Sequence, residues 1–131
     1  MSDFPSDRRY TEDHEWAKLE GDTVAIGVSA FAVEQLGDIT LVSVDAAVGD
    51  TLEAGKAFGT IESVKTLSDL FAPVSGTLEA INADLEDQPE LINEDCYEKG
   101  WMVKIKPASP DELEKLLDVA AYEVHVKSSA H

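Results

Sequence analysis

The chain has 131 residues and a formal charge of −17 at pH 7, from 27 acidic and 10 basic side chains. A field of that sign repels nucleic-acid phosphates and anionic lipid headgroups, and it favours partners with basic docking surfaces. The length suits one domain, which buries roughly two-thirds of its unfolded surface and needs no disulfide or metal to fold.

In chain order, residues 1–9 are polar, carry Pro5, and are expected to form a loosely held N-terminal segment ahead of a single domain over 10–131. Trp16–Leu19, a turn at Glu20-Gly21-Asp22, and Thr23–Val28 read as a β-hairpin. Ser29 is a capping residue for a short helix near 30–36, and Gly37 is suited to ending it in the left-handed conformation. Ile39–Asp45 is a strand with apolar alternation, closed by a turn at Val48-Gly49-Asp50-Thr51. Ala57–Val64 and Leu70–Val74 are extended, and Pro73 puts the second at an edge or bulge because it donates no ladder bond. Thr77–Ile81 is the next strand, after a turn at Ser75-Gly76. Residues 82–100 are loop-rich with a helical turn at Pro89–Ile92, and Trp101, Val103 and Ile105 mark one face of a half-buried strand. Ser109-Pro110-Asp111-Glu112 has the form of a capping box with proline at the first helical position, which predicts a C-terminal helix near 110–120 with Leu113, Leu116 and Leu117 on its buried face. Many short strands between turns predict a mostly β fold, a flattened barrel or sandwich with small helical additions. The tetrapeptide Thr51-Leu52-Glu53-Ala54 recurs as Thr77-Leu78-Glu79-Ala80, which is what two similar halves joined near residues 65 and 66 would produce.

The single cysteine, Cys96, excludes an internal disulfide, and with His14, His125 and His131 it forms neither a metal-ligand spacing nor a Cys/His catalytic pair. No apolar run approaches the ~20 residues of a membrane span. The opening MSDFPSDRRY lacks the apolar core of a signal peptide and has too much Asp for a transit peptide. The expected compartment is therefore reducing and cytoplasmic, with the mitochondrial matrix as the alternative for a processed organellar form.

The stretch Glu62-Ser63-Val64-Lys65-Thr66-Leu67-Ser68-Asp69 holds the one basic residue between Lys56 and Lys99. A lysine at a hairpin tip is ordinarily just solvated. Here the tip is short, rigidly based, and flanked by the carboxylates of Glu62 and Asp69. An enzyme that acylates a lysine needs the ammonium projected clear of the fold on a fixed backbone shape, which a tight turn provides at less ordering cost than a flexible loop.

The residues around this tip carry a family resemblance. Tyr10-Thr11-Glu12-Asp13-His14-Glu15-Trp16, Leu36-Gly37-Asp38-Ile39, Phe58-Gly59-Thr60-Ile61-Glu62-Ser63-Val64-Lys65, Ser68-Asp69-Leu70-Phe71-Ala72-Pro73-Val74-Ser75-Gly76, Leu91-Ile92-Asn93 and Tyr97-Glu98-Lys99-Gly100-Trp101 follow one another in family order. The chain thus resembles the glycine cleavage system H proteins from Tyr10 to Ile105. The resemblance implies lipoate in amide linkage to Lys65 and a carrier rather than a catalyst. It implies glycine decarboxylase, aminomethyltransferase and dihydrolipoamide dehydrogenase as partners, together with the enzymes that attach lipoate, and no nucleic acid or membrane. A monomer is expected. It further implies a surface cleft that shelters the arm near His14-Glu15-Trp16, where shielding from water slows side reactions. Glu15 is the first candidate to pair with a cationic amine there, Asp69 the second, and His14 and Gln35 complete the set. Some relatives carry His where this chain has Gln35, Leu-Pro where it has Asp45-Ala46, and Pro where it has Cys96.

Other readings compete. Biotinyl domains usually flank their lysine with methionines, whereas Val64 and Thr66 flank Lys65, and the Asp-Lys-Ala of 2-oxo acid dehydrogenase lipoyl domains is absent. An unmodified interaction module, or a protein that relays lipoyl groups, would share the fold. An enzyme in its own right would need an acid–base or nucleophile constellation that the sequence does not display.

Overall fold

The computed structural model describes residues 4–129. The ends of the expected flexible segment and of the expected domain, residues 1–3 and 130–131, lie outside the described residues. The strands are β1 (Arg9–Tyr10), β2 (Glu15–Glu20), β3 (Thr23–Val28), β4 (Ile39–Val44), β5 (Thr51–Leu52), β6 (Ala57–Ser63), β7 (Leu67–Phe71), β8 (Gly76–Ile81) and β9 (Val103–Pro107). The helices are α1 (Ala30–Leu36), α2 (Asp84–Asp87), α3 (Leu91–Glu94) and α4 (Val119–Ser129), with a 3-10 helix over Pro110–Lys115.

Two antiparallel sheets form, one ordered β1-β2-β3-β9-β8-β5 and the other β4-β6-β7. This is the flattened sandwich of the two architectures expected, not a closed barrel. Val24, Ile26, Leu78, Val103 and Ile105 of the larger sheet and Ile39, Val42, Ile61 and Leu70 of the smaller one are buried in a common core, with Ala32, Leu36, Leu85 and Ile92 from the helices and loops. The repeated tetrapeptides meet directly: Thr51 of β5 pairs with Thr77 of β8, so the two copies cross at their first residue.

The 15–28 hairpin forms as the alternation predicts, with Gly21 at φ 63° in its turn. Gly27 is required for packing. A Cβ there would lie 2.7 Å from the Trp16 ring, its cross-strand partner. Helix α1 is capped as expected, with the Ser29 hydroxyl accepting from the Ala32 N–H at 3.4 Å and the Gly37 N–H donating to Val33 O at 2.9 Å.

Two expectations need correction. The segment from Phe4 to Arg9, expected to be loosely held, is anchored at Phe4 and Arg8, while Ser6 and Asp7 remain exposed. Phe4 is buried against Tyr10 and Tyr122, and the Arg8 guanidinium lies over the rings of Trp16 and Tyr97 while donating to Tyr97 O. Burying these aromatic faces outweighs the ordering cost that local composition suggests. The C-terminal helix is also displaced. Residues 110–115 form a 3-10 helix, Leu116 is extended, and the α-helix runs over 119–129. The Ser109 side chain makes no cap bond, and Glu112 Oε1 instead accepts from the Ser75 N–H at 2.9 Å. A tertiary acceptor role has replaced the capping box. The backbone of Leu117 then exchanges hydrogen bonds with Tyr10, an extended bridge that an α-helix would forbid.

Candidate functional site

Lys65 sits at the tip between β6 and β7, and its placement is over-determined. The Ser63 N–H donates to Thr66 O at 2.8 Å, closing the turn, and the Ser63 hydroxyl accepts from the N–H groups of Lys65 and Thr66, both at 3.2 Å. One serine side chain thus satisfies two backbone donors that would otherwise face outward. The next strap comes from the segment after α1: the Val64 N–H donates to Asp38 O at 3.0 Å. That segment is itself held by Asn93, which accepts from the Ile39 N–H and donates to Gly37 O, each at 2.9 Å. Leu36-Gly37-Asp38 and Leu91-Ile92-Asn93 are therefore parts of one support that fixes the hairpin tip.

Gly37 lies beside the lysine. Its φ is 79°, a conformation other residues enter only under strain, and a Cβ built on it would lie 3.4 Å from Lys65 Cε. The lysine stem therefore runs beside Gly37, at ordinary contact distance from where a Cβ would lie. Lys65 is exposed, and among the described residues its ammonium enters no ion pair. These features fit a lysine whose amine is to carry an acyl group: the stem is positioned, and the nitrogen remains free.

A cleft of about 320 Å³ opens at the other end of β7, bounded by Thr11, Glu15, Gly55, Phe71, Pro73 and Leu116. Glu15 alternates onto the same face of β2 as Ala17 and is only 2% exposed, so it lies deeper than a rim residue. Its Oε2 accepts from the Phe71 N–H at 2.9 Å and its Oε1 from the Thr11 hydroxyl at 3.1 Å. Burial pushes the carboxyl up to about 8, the nearby Asp13 charge adds to the rise, and the two hydrogen bonds oppose it. At neutral pH this group holds a proton in much of the population, until a cation beside it favours the ionised form.

The four cleft candidates are not gathered at one point. Six residues of extended chain separate Lys65 from Phe71, about 20 Å. Asp69 is exposed on the outer face of the small sheet, opposite Thr60. Gln35 is exposed on α1, two residues before Gly37. His14 turns toward α4. Its Nδ1 lies 2.9 Å from the Tyr122 hydroxyl, and its ring packs on Phe31 and His125. Desolvation lowers its pKa first, and His125 lowers it further. His14 is also the described non-glycine residue with positive φ, 70°, held there by the turn in which its N–H donates to Thr11 O and its carbonyl accepts from the Ser29 N–H. The Tyr122 hydroxyl is in turn 2.6 Å from Ser29 Oγ, so the His-Glu-Trp segment, the α1 cap and α4 share one polar network.

Sequence reasoning missed Ser63 and Asn93 as supports of the tip, and Tyr122 altogether. Asn93 had a signal, an isolated amide beside a buried Ile92, whereas Tyr122 lies in a helix whose polar and apolar residues show little periodicity. Cys96 is buried, its thiol pushed up to about 11, chiefly by desolvation, so little reactive thiolate is present at neutral pH. Its carbonyl accepts from Trp16 Nε1 at 3.0 Å.

Comparisons with known proteins agree on one family. The family model described as "Glycine cleavage H-protein" matches residues 8–129. The chain is similar to the glycine cleavage system H protein of Bacteroides fragilis, 50% identical over 125 residues that cover 95% of this chain and 98% of that one. It is similar to the Bacillus cytotoxicus protein of the same name, 52% identical over 119 residues, 91% and 93% of the two chains. Among solved structures it resembles a glycine cleavage system H protein from Mycobacterium marinum, with a TM-score of 0.83, 36% identity, and coverage of 97% and 99%.

Proposed function

The chain belongs to the glycine cleavage H-protein family, and from that premise we propose that it carries a lipoyl group on the Nζ of Lys65 and serves glycine cleavage as a carrier rather than a catalyst. The observation that supports this most strongly is the built tip: an exposed lysine on a turn tied by Ser63, Asp38 and Asn93. The lipoyl group, when bound, supplies a dithiolane that takes up an aminomethyl group with two electrons and afterwards returns to the disulfide. What the chain supplies is display and shelter. Amide formation consumes the lysine charge, and Val64 and Thr66, uncharged neighbours, leave the amine accessible to an acylating enzyme.

Glu15 is proposed to face a cationic amine held in the cleft. Its side chain is already oriented by Phe71 and Thr11, so pairing releases the carboxyl proton without turning the side chain. Asp69 and Gln35, exposed outside the cleft, are proposed only as polar contacts for the arm when it is not sheltered, and His14 acts through Tyr122 to fix the segment that carries Glu15. The partners are glycine decarboxylase, aminomethyltransferase and dihydrolipoamide dehydrogenase, approached as a monomer. The compartment proposed is the cytoplasm, and among the described residues no helix is long and apolar enough to cross a membrane. The test is reconstitution of glycine cleavage from the three enzymes with lipoylated wild-type chain or with Lys65→Arg put through the same lipoylation. Wild type supports turnover and Lys65→Arg does not, while circular dichroism shows both folded. Turnover retained by Lys65→Arg refutes the assignment.

A further inference from the structure

The small sheet turns one face to the core and leaves the other open. On that outer face Leu41 of β4, Glu62 of β6 and Leu67 of β7 stand in one cross-strand row. The irregularity in β4 between Ile39 and Leu41 allows it: Ile39 and Val42 both face the core, and Leu41 is turned outward. Leu41 is 47% exposed and Leu67 61%, and Val64, beside Lys65, is 66% exposed. Leu67 is two residues from Lys65, about 7 Å along the strand, and adjacent strands are about 4.8 Å apart, so the row lies within about 10–15 Å of the lysine. Scattered exposed leucines carry no meaning, but here three large apolar side chains lie on one side of the molecule within about 10–15 Å of one lysine. Exposed Glu62 stands between the leucines, and exposed Asp69 lies one pair further along β7, in the row with Thr60 and Ser43.

Resting on the reading of Lys65 given above, we propose that the Leu41–Glu62–Leu67 row is the surface read by the enzyme that acylates Lys65, and that this enzyme brings an apolar patch with basic side chains set against Glu62 and Asp69. An active site that encloses the lysine must cover its surroundings, and this row is within that footprint. A second copy of the chain is a poor occupant, because it would bring Glu62, Asp69 and a formal charge of −17 against their own like. An anionic bilayer is excluded by the same sign of field.

The experiment follows modification of the unmodified chain by a lipoate-attaching enzyme and activated lipoate, read by intact mass, with wild type, Leu41→Ser/Leu67→Ser, Leu67→Thr alone, and Leu19→Ser. Leu19 is a comparably exposed leucine, 52%, on the large sheet. Losing an apolar contact of this size costs about tenfold per leucine. The double variant should therefore lose about 100-fold in kcat/KM and Leu67→Thr about tenfold, with Leu19→Ser within twofold of wild type. A small amine-reactive ester should label Lys65 equally in all four, showing that the lysine itself is unchanged. Threonine suits an exposed strand, so Leu67→Thr keeps the test valid if the double variant fails to fold. Wild type modified and both row variants modified just as fast overturns the surface proposal alone. Wild type left unmodified at Lys65 overturns the reading of the lysine and, with it, this one.

Discussion

Replacing Glu15 by glutamine isolates a buried titration. Between the ordinary glutamate value of 4.5 and about 8, the folded chain holds a proton on Glu15 that the unfolded chain has released. The unfolded state thus binds fewer protons, and stability falls as pH rises through this window. At 1.36 kcal/mol per decade, the stretch from pH 5 to 7.5 is worth about 3 kcal/mol. Glutamine is nearly isosteric with the protonated acid and keeps an acceptor for the Phe71 N–H, so wild type and Glu15→Gln should be close in stability at pH 5. At pH 7.5 the variant should be the more stable by about 3 kcal/mol. Urea unfolding at pH 5, 6.25 and 7.5, with equal m-values for the two proteins, measures the difference directly. Glu15→Ala, which strands the Phe71 N–H, should instead lose about 1–3 kcal/mol already at pH 5. Parallel stability profiles for wild type and Glu15→Gln would refute the buried, proton-holding carboxyl.

Three further outcomes follow from the same contacts. Asn93→Ala removes both bonds that hold Gly37 and Ile39, so it should cost about 1–3 kcal/mol in unfolding free energy and speed amide exchange at Val64, as hydrogen-exchange mass spectrometry will show. The buried Cys96 thiol, pushed up to about 11, should react with a disulfide reagent at neutral pH only at the rate of unfolding, and a fast reaction in the native protein would contradict its burial. Reduction of the lipoylated chain by dihydrolipoamide dehydrogenase should slow as salt rises, because association is steered by the acidic surface, while free lipoamide under the same conditions shows no such dependence.

The strands were legible because their signals are local. Apolar and β-branched runs between turn signals mark Ile39–Val44 and Ala57–Ser63 as strands, and the Ser29 and Gly37 signals bound α1 correctly. Lys65 was legible because a lone lysine between two such strands has to stand at a turn. What failed was governed by partners distant in sequence. Ser109-Pro110-Asp111-Glu112 has every local mark of a helix start, yet Glu112 is drawn to the Ser75 N–H and Leu117 to Tyr10, so the helix begins only at Val119. The polar segment before Tyr10 looked loose because nothing within it shows that Arg8 will lie on Trp16 and Tyr97, the latter 89 residues away. The family resemblance groups His14, Glu15, Gln35 and Asp69 around one arm. The fold instead turns His14 to Tyr122, buries Glu15, and leaves Asp69 and Gln35 on open surface. Leu41 escaped attention because alternation alone cannot announce the irregularity that turns it outward.

The most direct test of the central claim is peptide-mapped mass spectrometry of the chain produced with its own lipoylating enzymes. The account predicts one lipoyl group per chain, on the peptide containing Lys65, and an unmodified Lys65→Arg variant. Lipoate found on Lys56 or Lys99, or a native chain that carries none, would contradict it.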